Sequence, residues 1–198
     1  LSTVINLLIV SMAAYVFSRY TFRGQNALLN LMLAGVLVPI VALMVPYFRI
    51  IIGIGVYDTL WALVVTYAGI NVPISLFLVY GFMKTIPREL EEASIIDGCG
   101  FFQRYAQIVL PLSKLGLVTA GTFAFLFSWN EFVYALLLTA SEKSRTLQLG
   151  IRFFTSQFRT DYTSMYAAII IAIIPMIIVY VLLHERIISG LTSGALKG

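Results

Sequence analysis

Thr85-Ile-Pro-Arg-Glu-Leu-Glu-Glu-Ala-Ser-Ile-Ile-Asp-Gly-Cys-Gly-Phe-Phe-Gln-Arg-Tyr-Ala-Gln-Ile-Val-Leu-Pro111 lies between two long apolar runs, and its reading decides the fold. It lacks the Ser/Gly/Pro richness of a passive linker. Thr85-Ile86-Pro87 suits a helix start, because proline fits the first helical position. Glu89, Glu91 and Glu92 fall in the early turns, where the helix dipole favours acids. Leu90, Ala93 and Ile96 recur at i, i+3 and share one face. Gly98 and Gly100 break the helix around Cys99, and a second amphipathic stretch, 101–109, runs to Leu110-Pro111. The segment predicts a helix-turn-helix lying outside a bilayer.

The flanks supply the bilayer. The 198-residue chain is 60% hydrophobic and only 11% charged, with a mean hydropathy of +0.95; soluble domains carry about 25% charged residues. Apolar runs near membrane-spanning length predict five helical spans. The first, Leu1 to Ser18, would be roughly 27 Å long, slightly short of the ~30 Å hydrocarbon core. It implies that the chain starts inside a span, with an N-terminal part preceding Leu1. The second covers about 28–52 and contains Pro39 and Pro46, where kinks are expected. The third covers 59–83 and includes Asn71-Val72-Pro73. The fourth covers 115–140, with Trp129-Asn130-Glu131 mid-way, and the fifth covers 164–183, interrupted by Pro175. The fold class is an all-α polytopic transmembrane bundle.

Basic residues orient it. Arg19, Arg23, Lys84, Arg88, Arg104, Lys114, Arg186 and Lys197 gather on one side; Arg49, Lys143, Arg145, Arg152 and Arg159 lie on the other. Short basic loops are retained in the cytoplasm, so the first set, and with it 85–111, is expected there. These cations sit at span ends and form no patch, which argues against nucleic acid despite the net charge of +4. One cysteine excludes an internal disulfide framework and a zinc cluster, and His184 alone leaves little for imidazole chemistry.

Three further features have two readings each. An acid at mid-span costs about 2.5–3.5 kcal/mol on insertion scales, so Glu131 should face protein or water. Trp129, Asn130 and Glu131 either line a polar path or contact a partner, or Glu131 makes a structural hydrogen bond to Asn71, a backbone carbonyl or a partner helix. The loop 141–163, with Phe153, Phe154, Phe158, Arg159, Asp161 and Tyr162, is an outer docking or plug element or an aromatic belt. The tail 189–198 either reaches towards a partner or is an unstructured end. Asn71, Pro73 and Pro175 read as kink devices.

Glu92-Ala93-Ser94, three residues, Gly98, nine residues, Ile108-Val109-Leu110-Pro111 resembles the EAA signature of ABC importer permeases. The spacing matches throughout, with Ser94 replacing the third alanine. Tyr57-Asp58-Thr59, Ile86-Pro87-Arg88-Glu89-Leu90, Ile96-Asp97-Gly98, Leu110-Pro111-Leu112-Ser113-Lys114, Trp129-Asn130-Glu131-Phe132, Thr146-Leu147-Gln148-Leu149-Gly150 and the terminal 190–198 resemble the carbohydrate-uptake branch, in particular the maltose-type G subunit. A proline often follows Ser-Lys in that branch; here Leu115 does.

The resemblance covers essentially the whole chain and implies six spans in the full protein. It implies that Glu92, Ala93, Ser94, Asp97, Gly98, Ile108, Leu110 and Pro111 form a cytosolic coupling helix and turn for an ATPase. It also implies a second permease as heterodimer partner, an ABC ATPase dimer holding ATP and Mg, an external sugar-binding protein, and a prokaryotic inner-membrane location. This chain has no Gly-x-x-x-x-Gly-Lys-Ser/Thr loop to cradle phosphates, so no cofactor is expected in it. An EAA-type permease for polyamine or phosphate is the alternative. An ion-coupled carrier would want more intramembrane charge than Glu131 alone and signs of inverted repeats. A membrane enzyme would need a nucleophile–base or metal set.

Overall fold

The computed structural model describes residues 1–154 and 161–195, the side chains of 153 and 185–195 apart. Among the described residues every regular element is helical. In chain order they are α1 (Ser2–Arg19), α2 (Gln25–Ala34), α3 (Met44–Gly53), α4 (Leu60–Ile70), α5 (Val72–Thr85), α6 (Glu89–Ile96), α7 (Phe101–Arg104), α8 (Leu110–Leu112), α9 (Lys114–Asn130), α10 (Val133–Leu138), α11 (Leu147–Ile151) and α12 (Tyr162–Ala195). A π-helical turn, Tyr105–Val109, joins α7 to α8. Ser2–Arg19 and Tyr162–His184 are each long and apolar enough to cross a membrane, and counting each of three bent helix pairs as one span gives up to five among the described residues.

Chain chemistry explains the bends and corrects four expectations. Gln25–Leu37 and Ile40–Gly53 meet at 107°, with Val38 and Pro39 extended between them. Pro46 makes no kink: it lies in the first turn of α3, where amides lack helical partners anyway. Leu60–Ile70 and Val72–Thr85 bend by 46°, with Pro73 near the start of the second helix. Pro175 does not interrupt α12, which runs through it unbroken. Pro111 has no N–H for the carbonyl four residues back, and the π turn stands just before it. The helix persists to Leu112, past the expected end, and turns through 75° into α9. The fourth run is two helices, because α9 ends at Asn130 and α10 restarts at Val133. Trp129-Asn130-Glu131 therefore sits at a helix break and not mid-span.

Two apolar clusters hold the bundle. One gathers Val10, Tyr15, Phe17, Leu76, Val79, Met83 and Val109 from α1, α5 and the π turn. The other gathers Ile51, Leu63, Tyr67, Tyr134 and Leu138 from α3, α4 and α10. Inside lipid, helix association leans on small residues and interhelical hydrogen bonds, since the tails are as apolar as leucine. Gly116 on α9 shows the first: a Cβ there would come within 2.7 Å of the Phe82 side chain on α5. Asn6 shows the second, its buried Nδ2 donating to the Ala68 carbonyl at 2.9 Å. The hydroxyls of Thr119 and Thr122 return to carbonyls four residues back, so neither is left bare in the core. By contrast α12 exposes Ile170, Ile171, Ile174, Ile178 and Val181, as a lipid- or partner-facing helix must.

Beyond the helix ends, the loop before α4 is locked to the loop after α10. Asp58 adopts φ +58°, and its Oδ1 accepts from the amides of Ala140 (2.7 Å) and Ser141 (2.9 Å). Ser144 Oγ donates to the Asp58 carbonyl at 2.7 Å. The Ser141 amide and then the Ala140 amide hold the Asp58 carboxyl below its usual range.

Candidate functional site

The elbow formed by α6 and α7 is built around Gly98. Its φ is +82°, a left-handed conformation that glycine adopts without Cβ strain. The Cys99 amide donates to the Ser94 carbonyl (2.9 Å) and the Gly98 amide to the Ile95 carbonyl (3.0 Å). That pair is a Schellman motif, and it satisfies carbonyls that end α6. The second arm opens with Gln103 Oε1 accepting from the Gly100 amide at 2.9 Å. Helix, left-handed turn and second helix thus appear where the glycines place them.

The elbow's faces are the reverse of a soluble amphipathic helix. Leu90, Ala93 and Ile96 do share a face, and it is open: Ile96 is 87% exposed, and Phe102, on the other arm, 69%. The inward face carries Glu91 and Ser94. Arg19, at the end of α1, pairs with Glu91 Oε1, and both side chains are nearly buried. Tyr15 Oη donates to Glu91 Oε2 at 3.2 Å. Arg19 Nη2 also donates to the Ile86 carbonyl at 3.0 Å. Glu92 is exposed on the outward side with Asp97. Ser94 Oγ donates to the Glu91 carbonyl at 2.6 Å, so the Ala-to-Ser departure fills its hydroxyl locally. Ile108 and Leu110 are half-buried against the bundle and Pro111 is exposed.

Sequence reasoning missed Glu91, Arg19 and Tyr15. The i, i+3 spacing of Glu91 and Ser94 was a signal that these two share a face. Which face turned inward depended on Arg19, distant in sequence. Arg19, Arg88 and Arg104 surround one 230 Å³ recess with Glu91 and Glu92, so basic residues expected on one side do converge there.

The polar break divides its three residues among different tasks. Glu131 accepts from the Tyr134 amide (2.8 Å, Oε1), the Ala135 amide (3.1 Å, Oε2) and Tyr67 Oη (2.8 Å, Oε2). It caps α10 and ties it to α4, and Asn71 is not its partner. Asn71 Nδ2 instead donates to the Tyr67 carbonyl at 2.8 Å. Trp129 Nε1 donates to the Ala172 carbonyl of α12 at 3.0 Å. Asn130 is exposed, its Nδ2 donating to the Leu126 carbonyl at 2.8 Å. Trp61, Tyr67, Phe125, Ser128, Trp129 and Thr146 are among the residues lining a cavity of about 660 Å³ whose lining contains no Asp, Glu, Lys or Arg.

In the loop 141–163, Phe154 is exposed, and Asp161 accepts from the Ser164 hydroxyl and amide. The side chain of Phe153, residues Phe158 and Arg159, the side chain of Arg186, Lys197 and the end of the tail lie outside the described residues. Among the described residues no group of His, Cys, Asp and Glu is placed to hold a metal ion.

The comparisons with known proteins agree with this architecture. The trehalose transport system permease of Mycobacterium tuberculosis is 36% identical over 200 residues, an alignment covering all of this chain and 73% of the relative. The sulfoquinovosyl glycerol transport system permease of Agrobacterium fabrum is 35% identical over 198 residues, covering all of this chain and 70% of that protein. In three dimensions the chain is similar to a crystal structure of a bacterial ABC transporter involved in the import of the acidic polysaccharide alginate. The TM-score is 0.81 at 21% identity, covering 93% of this chain and 69% of the other. A family model matches residues 5–192; with the elbow, the bent spans and these likenesses, it makes the chain a member of the binding-protein-dependent transport system inner membrane components, the permease subunits of ABC importers.

Proposed function

We propose that this permease passes a sugar, a mono- or oligosaccharide delivered by an external binding protein, and that its elbow seats in a cleft of a separate ABC ATPase that holds ATP and Mg. The observation that carries the reading is the inverted elbow. Leu90, Ile96 and Phe102 stand exposed beside the outward Glu92, an apolar patch with a charged rim on a stiff turn. Such a surface suits a protein partner, since large exposed apolar patches rimmed by polar groups mark interaction sites. Glu92 meets basic or polar groups of the ATPase, Ala93 and Ser94 allow close approach, and Gly98 sets the angle between the arms. Asp97 ends α6 at the turn, while Ile108, Leu110 and Pro111 lead the second arm back into the bundle. On this reading 85–111 lies in the cytoplasm, and a second permease completes the path as a heterodimer.

A sugar is favoured over polyamine or phosphate by the relatives' named substrates, which are trehalose and sulfoquinovosyl glycerol. The cavity lining, aromatic and hydroxyl-bearing and without acidic or basic side chains, also supports it, because a polyamine wants carboxylates and a phosphate wants Arg or Lys. The test is reconstitution of the full-length protein with its partner permease, ATPase and binding protein. Sugar-loaded binding protein is expected to stimulate ATP hydrolysis, and Ile96→Asp to release the ATPase. An Ile96→Asp complex that retains its ATPase and its stimulation refutes the docking surface; stimulation by a polyamine or phosphate refutes the sugar.

A further inference from the structure

We infer that α1 is the lever that receives the elbow's motion, and that Arg19 and Glu91 are positioning residues that make elbow and α1 one rigid body. The inference rests on the coupling role proposed above and adds the route by which motion enters the bundle.

The elbow has covalent links to two spans, and the chain changes direction at each. Towards α5 the chain passes through Ile86, whose ψ of 126° takes it out of the helix. Towards α9 it turns a 75° corner at Ser113. By contrast α1, which is remote in sequence, grips both arms through side chains. On the first arm it holds Glu91 through Arg19 and Tyr15. On the second arm Tyr105 Oη and Ser11 Oγ share a hydrogen bond of 2.7 Å. Arg104 Nη2 donates to Tyr20 Oη at 3.1 Å. The Tyr15 ring packs at 5.2 Å from Phe101 and 5.5 Å from Tyr105, centroid to centroid. The ties therefore lie on both sides of the Gly98 turn, which resists rotation as well as translation.

Burial makes the first tie hard to open. Arg19 and Glu91 side chains are 7% and 9% exposed, and an ion left without its partner at such a site is strongly disfavoured. Adjacent glutamates on α6 thus divide the work: Glu92 faces outward and Glu91 faces the lever. At its far end α1 donates from Asn6 to Ala68, just before the 46° bend between α4 and α5. A displacement of the elbow would then reach the bent middle of the bundle through α1.

Cys99, the one cysteine among these 198 residues, stands in the elbow turn and takes a nitroxide label once every other cysteine in the assembled transporter has been replaced. The exposed α1 residue Leu8 and α9 residue Phe123 serve as second label sites through Leu8→Cys and Phe123→Cys. In the assembled transporter, the 99-to-8 distance is expected to stay the same between the nucleotide-free and ATP/vanadate-trapped states, while the 99-to-123 distance changes. A 99-to-8 distance that changes as much as the other overturns the lever, as does a transporter in which neither changes. A second arm needs no ATPase. In the full-length permease in lipid nanodiscs, Glu91→Gln removes one ion of the pair and leaves the Arg19 cation buried without its counter-charge. The population with the 99-to-8 distance off its parent value is expected to rise at least about tenfold, since removing one partner of a buried pair is strongly unfavourable. A distribution matching the parent overturns the inference. Glu92→Gln separates the two readings: it acts on ATPase retention and leaves the 99-to-8 distance alone.

Discussion

Replacing Gly98 isolates backbone geometry from packing. A Cβ built at Gly98 meets no atom within 4 Å, so a side chain there clashes with nothing and the cost is conformational. At φ +82° an ordinary L-residue costs about 1–2 kcal/mol, and a β-branched one more. The chain can escape by leaving the left-handed region, but it then loses the Cys99-to-Ser94 and Gly98-to-Ile95 hydrogen bonds, about 0.5–1.5 kcal/mol each. Either way the two arms lose their set angle by an amount graded with the residue. Asn tolerates the left-handed region best, Ala is intermediate and Val is worst. The assay is uptake of the transported solute into cells or proteoliposomes, normalised to permease in the membrane. We expect Asn to retain most activity, Ala to lose part of it, and Val to abolish uptake while the protein still reaches the membrane. Full uptake by Gly98→Val, or Asn as damaging as Val, would refute the claim that the turn angle matters.

Three further outcomes can be checked. Glu131→Gln presents an amide nitrogen to at least one of the three donors now bound to the carboxylate; it should destabilise the α9–α10 break by about 1–3 kcal/mol and lower transport more than assembly, measured as uptake against complex recovered. Uptake equal to the parent would leave the residue a dispensable cap. Asp58 has its pKa lowered by the Ser141 and Ala140 amides, so the clamp contributes above the ordinary Asp value of 3.8 and is lost as pH falls through the lower folded value. Hydrogen exchange at the Ala140 and Ser141 amides should therefore stay protected through neutral and mildly acidic pH, and Asp58→Ala should remove that protection at every pH. Gly116→Val forces atoms into the Phe82 side chain; overpacking of this kind costs about 1–3 kcal/mol, and the thermal midpoint of the purified protein should drop while Gly81→Ala, at an open position, barely moves it.

The sequence by itself determined the class and the elbow, and the reasons are local. Apolar runs of span length have no soluble solution, because unpaired backbone groups in hydrocarbon force helices. The EAA spacing is likewise a string of near neighbours: Gly98 must turn, Pro111 must lack a donor, and Leu90, Ala93 and Ile96 must share a face. Only the tertiary structure decided which face of α6 points in, since that choice is made by Arg19 and Tyr15, more than 70 positions upstream. It likewise turned Trp129-Asn130-Glu131 from a mid-span feature into a helix break, because Glu131 caps α10 while Tyr67 holds it from α4. Pro39, Pro46 and Pro175 look alike in the sequence, yet the chain turns sharply only around Pro39. The cost of a missing N–H depends on whether its would-be acceptor is inside a helix, in a first turn or already supported by neighbours, and that is a property of the assembled bundle.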